Sequence, residues 1–157
     1  MGLELKKVGY TNICGMDGAD EMLAIANQKG IYQTSWKILV GLDTIPRDAL
    51  YSAYQEGSGF DGVFASATMI RGNMPNTCFE EMLKCLKPGG HMIFSIRDIY
   101  LDPTTDKDMN YVGKLAELEE RGSYTKVEQV RYTKYQGLNL SDCYMEEPAN
   151  IMIYRKN

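Results

Sequence analysis

The chain has 157 residues, a formal net charge of −4 and a pI of about 5.1. The length fits one domain, and the acidic balance provides no basic surface for nucleic acid. No apolar run approaches the roughly 20 residues that a membrane span requires, and no secretory leader pattern is present. We therefore expect a cytoplasmic protein whose partners include neither nucleic acid nor membrane.

Cysteine and histidine positions exclude the common metal and thiol chemistries. The four cysteines, Cys14, Cys78, Cys85 and Cys143, show no C-x-x-C spacing. The one histidine, His91, lies within a predicted strand. This pattern predicts free, mostly buried thiols and no zinc site or Cys-His nucleophile pair.

The first predicted strand ends in an acidic residue. Gly2 to Gly9 is typical of the last turns of a helix, and Tyr10 to Met16 follows as a strand that ends at Asp17. A carboxylate in this place offers two acceptors to a ribose diol at the carboxyl edge of a sheet. The alternative is that Asp17 caps the helix that follows, because aspartate is frequent there.

A helix and a strand come next. The helix is predicted from Asp20 to Lys29, and Ser35 to Leu42 is predicted as the strand before Asp43. The segment from Ile45 to Gly59 is a connection with a helical turn around Asp48 to Gln55. The inner face of the helix is predicted to carry Met22, Leu23, Ile25 and Ala26.

The middle of the chain has the pattern of a βαβ unit. Phe60 to Ala67 suits a buried strand, and Thr77 to Glu80 has the T-x-x-E pattern of a capping box. Pro88 ends the helix, the glycines after it form a turn, and His91 to Ile96 forms the second strand. The helix should bury Phe79, Met82, Leu83 and Leu86 and expose Glu80, Glu81 and Lys84.

The last third predicts one helix and two strands. Lys107 to Arg121 is the helix, with Tyr111, Leu115 and Leu118 on one face and a Glu117–Arg121 pair on its surface. Tyr124 to Tyr135 and Asn150 to Arg155 are strands, separated by the acidic insertion from Gln136 to Pro148.

Three sequence blocks resemble the class I S-adenosylmethionine-dependent methyltransferases. They are CGMDGADEMLAIA from Cys14 to Ala26, FDGVFAS from Phe60 to Ser66, and LKPGGHMIFSI from Leu86 to Ile96. The segment from Gly30 to Gln33, GIYQ, resembles a GLYQ segment found in part of that family. The resemblance implies an α/β, Rossmann-like domain over residues 1–157, mostly parallel with an antiparallel last strand. It also implies S-adenosyl-L-methionine as cofactor and a small molecule or a protein as methyl acceptor.

The resemblance also implies a set of binding residues. For Met22, packing in the core is the alternative interpretation. Arg71 and Arg97 are weaker candidates for binding an anionic group of the substrate. Methyl transfer from a sulfonium is an in-line displacement that needs alignment, so no catalytic residue and no metal is expected. The cofactor-binding set is Asp17, Gly18, Met22, Leu42, Asp43, Ser66 and Ala67.

The family's first strand and its glycine-rich loop, of the form G-x-G-x-G, have no counterpart before Gly9. We therefore expect a truncated sheet that lacks its central strand and has unpaired edges that favour self-association. The same loss predicts little binding of S-adenosylmethionine by the chain alone. An alternative is a non-catalytic, methyltransferase-like binding protein, and a nicotinamide-binding domain is a third interpretation.

Overall fold

The computed structural model describes residues 1–46, 59–138 and 144–157, and the helical turn predicted around 48–55 lies outside these ranges. One 3-10 turn, Asp98–Tyr100, follows the fourth strand. The helices are α1 (Gly2–Lys7), α2 (Asp20–Gln28), α3 (Cys78–Cys85) and α4 (Tyr111–Glu120). The strands are β1 (Cys14–Asp17), β2 (Thr34–Lys37), β3 (Phe60–Met69), β4 (Leu86–Arg97), β5 (Tyr124–Leu138) and β6 (Tyr144–Lys156).

The described strands form two sheets. β1 and β2 pair in parallel, and the larger sheet has the order β3-β4-β6-β5. β3 and β4 are parallel, whereas β6 is antiparallel to both β4 and β5, which confirms the predicted antiparallel end. The expected arrangement is one continuous sheet, whereas the described strands form two. β1 and β3 each have one edge that pairs with no other described strand.

The first two strands are shorter than predicted because neighbouring residues form turns. The Tyr10 amide donates to Leu5 O over 3.1 Å, so this residue completes the end of α1 instead of extending β1. After β2, the amides of Leu42 and Asp43 both donate to Leu39 O. The predicted strand from Ser35 to Leu42 is therefore wrong beyond Lys37.

The glycines after Pro88 form a bulge and not the predicted turn. Leu86 pairs with Phe60 and His91 pairs with Gly62, so β4 contains extra residues between the two pairs. Gly89 has a φ of +79°, which favours glycine. A Cβ on Gly90 would lie 2.9 Å from Phe60 O. The two glycines thus allow β4 to pair with β3 on both sides of the bulge.

The capping box predicted before α3 is wrong. Thr77 is already helical in φ and ψ and makes no side-chain cap bond. Its hydroxyl donates to Gly41 O over 2.5 Å, and Glu80 forms an ion pair with Lys114 of α4. Tertiary partners have replaced the local bonds that the spacing suggests.

Helix α3 packs its apolar stripe against the larger sheet, as predicted. Phe79, Met82 and Leu83 are buried on the helix. Leu86 is buried too, but it is the first residue of β4, so its predicted place in the helix is wrong. The Phe79 ring lies 5.1 Å from that of Phe94 in β4, measured between ring centroids. One predicted surface residue is buried instead: Glu81 is only 8% exposed.

Helix α4 covers the other end of the same core. It begins at Tyr111 and not at Lys107, because the Asp106 carboxylate accepts the Tyr111 amide at 2.8 Å and the residues before it form turns. Its predicted buried face is confirmed, with Tyr111, Leu115 and Leu118 inside. The predicted Glu117–Arg121 ion pair is confirmed at 2.5 Å.

The N-terminal elements are less well buried. Helix α2 has no buried residue, so the inner face predicted for it is wrong as a core face. Met22 and Ile25 are 54% and 46% exposed, respectively. The small core beneath this part contains Ile38, Ile45 and Cys85, with Met16 and Trp36 packed beside it.

Candidate functional site

Most of the predicted site residues lie at or shortly after the carboxyl ends of the parallel strands. Asp17 is the last residue of β1, which pairs with Lys37, the last residue of β2. In the larger sheet, β3 ends at Met69 beside Ile96, one residue before the end of β4. Ligands of open α/β sheets bind at such carboxyl edges.

Asp17 retains one carboxylate oxygen for a ligand. Its Oδ1 accepts the Ala19 amide at 2.9 Å, and Ala19 is the residue at which α2 is capped. Among residues 1–46, 59–138 and 144–157, no hydrogen-bond or ion-pair partner is seen for Oδ2. Asp17 therefore fixes the turn between β1 and α2, and the cap position itself belongs to Ala19.

The turn after Asp17 packs closely on the segment after β2. A Cβ added to Gly18 would lie 2.2 Å from Cδ2 of Leu39, whose side chain would have to move. Lys37 and Asp20 form an ion pair of 2.5 Å across the same region. A larger residue at Gly18 would therefore require the exposed Leu39 side chain to move.

The residues predicted for the adenine side differ in their exposure and in their bonding partners. Met22 and Leu42 are exposed, with 68% of the Leu42 surface accessible, so neither is a core residue. The Asp43 carboxylate accepts the Leu39 amide at 2.8 Å and thereby closes its own turn. Met22 and Leu42 present apolar surface to solvent, whereas Asp43 has a structural partner.

The end of β3 has an unusual backbone. Ala67 has a φ of +59°, a conformation that non-glycine residues rarely adopt. Its amide donates to the Ser95 hydroxyl at 2.8 Å, and the register with β4 shifts between Ala65 and Met69. Ser66 and Ala67 are exposed as a result. Such an outlier is a reason to suspect a functional role.

Both predicted substrate arginines have acidic partners. Arg71 forms an ion pair with Asp108. The Arg97 Nε lies 2.6 Å from Glu147 Oε2, and its guanidinium carbon lies 5.6 Å from the ring centroid of Tyr100 in a cation–π contact. A substrate anion would have to compete with these carboxylates for either cation.

Sequence reasoning missed a cavity next to this edge. It has a volume of about 570 Å³ and follows directly on the end of β4. Its lining comes from the loop after β4 and from β5 and β6, which are far apart in the chain. The polar Asn150 inside an apolar strand was the one sequence signal that could have indicated it. The lining residues are Asp98, Ile99, Leu101, Asp102, Thr105, Gln129, Arg131 and Asn150.

The cysteines have the character predicted for them where the structure describes them. Cys14, Cys78 and Cys85 are free, and burial raises the pKa of the Cys78 and Cys85 thiols to about 12. Cys143 lies outside the described residues. Within the described ranges, no group of three or more His, Cys, Asp or Glu side chains could hold a metal ion. None of the described helices is long and apolar enough to cross a membrane.

The sequence matches the family described as "Methyltransferase domain" over residues 2–94. The chain belongs to this methyltransferase domain family. A search of curated proteins returned no significant match. The solved structures that resemble this methyltransferase domain are distant in sequence, and their likeness therefore describes the fold alone.

Three of these structures show the range. An S-adenosylmethionine-dependent methyltransferase from Methanosarcina mazei has a TM-score of 0.65 and 15% identity, over 99% of this chain and 86% of that one. An S-adenosylmethionine-dependent methyltransferase from Mesorhizobium loti has a TM-score of 0.63 and 15% identity, and the alignment covers 98% of this chain and 84% of that one. The N-methyltransferase NodS from Bradyrhizobium japonicum, in complex with S-adenosylhomocysteine, has a TM-score of 0.53 and 18% identity. The alignment covers 91% of this chain and 65% of that one. The methyltransferase domain and this complex indicate S-adenosylmethionine as the cofactor.

Proposed function

We propose that this methyltransferase domain binds the adenosine half of S-adenosylmethionine at the carboxyl ends of β1 and β2 and transfers its methyl group to a small molecule or a protein. The observation that carries the proposal is the Oδ2 of Asp17, at the end of a parallel strand and without a partner among the residues that the structure describes. The ribose diol supplies two hydroxyl donors to this carboxylate. Gly18, Met22 and Leu42 form the surroundings of the base, and Asp43 supports their turn.

The methionine half has fewer candidate partners. Ser66 and Ala67 are exposed at the end of β3, but no G-x-G-x-G loop occurs in residues 1–9 or at the end of β1. A micromolar cofactor needs about 8 kcal/mol of binding free energy, and each absent hydrogen bond removes about 1 kcal/mol of it. We infer that the 157-residue chain alone binds S-adenosylhomocysteine weakly.

Calorimetric or NMR titration of the chain with adenosine and with S-adenosylhomocysteine tests both statements. We expect both ligands to bind with similar, weak affinity, because they share the adenosine half. Micromolar binding of S-adenosylhomocysteine alone would refute the assignment of partners to the adenosine half. Absence of binding by either ligand, even at millimolar concentration, would refute cofactor binding by this chain.

A second candidate is a non-catalytic, methyltransferase-like binding protein that retains the fold. The separation of the described strands into two sheets favours it, because β1 and β3 each have an edge that pairs with no other described strand. Such edges pair readily with other strands, so this candidate includes self-association. Analytical ultracentrifugation tests it, and a strictly monomeric chain that transfers labelled methyl groups would exclude it.

We also propose a finer kinship and a location. The GIYQ segment from Gly30 to Gln33 resembles the methyltransferase-like proteins of the Williams-Beuren syndrome chromosome region. The location we propose is the cytoplasm, and the acidic composition supports no role for nucleic acid. Fluorescent tagging and an electrophoretic mobility assay would test the location and the partner class.

A further inference from the structure

The cavity beyond β4 has the size of a ligand site. Its volume of about 570 Å³ lies in the range of small-molecule pockets. One side is formed by the loop from Asp98 to Thr105, and the other by Gln129 and Arg131 of β5 with Asn150 of β6. Ile99 and Leu101 add apolar surface to this mixed lining.

A connected set of polar side chains fixes one wall. Asn150, which is 1% exposed, donates its Nδ2 to Asp98 Oδ1 at 2.6 Å. Its Oδ1 accepts from Gln129 Nε2 at 2.8 Å, and Arg131 Nη2 donates to Asp98 Oδ2 at 2.5 Å. These hydrogen bonds favour one arrangement of Asn150, Gln129 and Asp98 before any ligand arrives.

The cavity lies at the carboxyl edge of the larger sheet, the edge to which Ser66 and Ala67, the candidate partners of the methionine half, also belong. Asp98 directly follows β4, whose parallel neighbour β3 ends at Met69, shortly after the exposed Ser66 and Ala67. The Arg71 amide donates to the Tyr100 hydroxyl at 3.1 Å. This bond joins the loop after β3 to the turn that borders the cavity.

The charges in the lining favour a cation. Asp98 and Arg131 neutralise each other, which leaves the negative charge of Asp102. Asp102 Oδ1 accepts from both the amide and the hydroxyl of Thr104, at 2.8 and 2.7 Å. Its Oδ2 has no such partner in the described part of the chain. The Thr104 hydrogen bonds lower the pKa of this carboxyl, so it stays ionised.

We propose that this cavity binds the methyl acceptor, and that the acceptor is an amine with an apolar body. The ammonium group lies against Asp102, and the body contacts Ile99 and Leu101. The inference rests on the proposed methyltransferase function. Binding in the cavity is nevertheless a separate property that can be measured without the cofactor.

The transfer itself needs one proton to leave. The bound ammonium loses a proton to the water at the open side of the cavity. The nitrogen lone pair then attacks the methyl carbon of the sulfonium and forms a C–N bond. The C–S bond breaks, its electrons stay on sulfur, and neutral S-adenosylhomocysteine leaves with a methylated ammonium as the second product.

The first test compares amines with alcohols of the same shape. Propylamine, cyclohexylamine, phenethylamine and tryptamine are titrated into isotope-labelled chain, each beside its matching alcohol, and amide NMR shifts are followed. We expect shifts around Asp102, Gln129 and Asn150, and at least one amine that binds roughly three to five times more tightly than its alcohol. Equal binding of every pair, or shifts elsewhere only, would overturn the proposal, as would no binding at all.

Two charge variants test whether Asp102 is responsible for the preference for amines. Asp102→Asn should remove the preference for the amine, because it removes the unpaired charge and keeps a side chain of the same size. Glu120→Gln removes an equal charge from an exposed position of α4 outside the cavity lining and should leave the preference unchanged. If Glu120→Gln has the same effect as Asp102→Asn, the preference reflects net charge and the cavity assignment is wrong.

Failure of this proposal and failure of the proposed function give different results. Adenosine and S-adenosylhomocysteine titrations report on the cofactor edge whether or not amines bind. Amine binding with no adenosine binding would leave the cavity assigned and the methyltransferase function refuted. Adenosine binding without any amine preference would retain the function and reject the acceptor class.

Discussion

The Ile45 amide donates to Glu81 Oε2 over 3.0 Å, and this bond joins the segment after β2 to α3. Both residues are buried, and Oε1 of the same carboxylate is 2.5 Å from Lys84 Nζ. One side chain thus connects the N-terminal part to the larger sheet. It does so from a helix position that the sequence pattern assigns to the surface.

Glu81→Ala should lower the free energy of unfolding by about 1–3 kcal/mol, because it leaves the buried Ile45 amide without an acceptor. Glu81→Gln keeps an acceptor oxygen and should cost clearly less. Urea denaturation of both variants measures the difference. Equal losses would show that charge, and not the hydrogen bond to Ile45, stabilises this contact.

Asp17→Asn should weaken adenosine binding by about 1–3 kcal/mol, because a charged acceptor of the ribose hydroxyls is lost. The fold should persist, since the amide oxygen of asparagine can still accept from Ala19. Asp20→Asn is the matched control, because that carboxylate is exposed and paired with Lys37. NMR titration measures the affinity. Unchanged binding in Asp17→Asn would restrict Asp17 to the turn before α2.

Ala67→Gly should stabilise the protein by up to about 1 kcal/mol, because glycine adopts the observed φ of +59° without the cost that alanine has. Ala65→Gly, in the same strand and without a positive φ, should instead destabilise by about 0.5–1 kcal/mol. Thermal denaturation compares the two. Destabilisation by Ala67→Gly would mean that the alanine methyl group has a packing role that outweighs the strain.

Alkaline pH should destabilise the fold. Burial raises the pKa of Cys78 and Cys85 to about 12, raises that of Tyr154 to about 12, and also raises those of Tyr111 and Tyr124. In the unfolded chain thiols ionise near pH 8.5 and tyrosines near pH 10. Above these pH values the unfolded state therefore binds fewer protons than the folded state, in which the same groups stay protonated. Their contribution is complete below about pH 8.5 and is lost as pH rises towards 12.

Urea denaturation at several pH values between 8 and 12 measures this loss. Cys78→Ala removes one of the titrating groups, so its stability should fall less steeply with pH than that of the parent chain. A free energy of unfolding that is independent of pH above 9 would contradict the prediction. It would mean that these groups ionise in the folded state as they do in the unfolded one.

Local patterns in the sequence determined much of the larger sheet and its helices. The stripe of α3 and the face of α4 follow from the 3.6-residue period, and both are buried as predicted. The parallel direction of β3 and β4 followed from the helix crossover between them, and the antiparallel direction of β6 followed from the resemblance to the methyltransferases. The family followed from three short blocks.

Only the tertiary structure decided which partner each polar side chain takes. Thr77 and Glu80 have the spacing of a capping box, yet they bond Gly41 and Lys114, which are distant in the chain. Glu81 is buried by the segment around Ile45, and Arg97 is paired with Glu147. The cavity beside Asp98 forms where β4, β5 and β6 come together. Such contacts depend on residues far apart in sequence, so the period and spacing of neighbours contain no information about them.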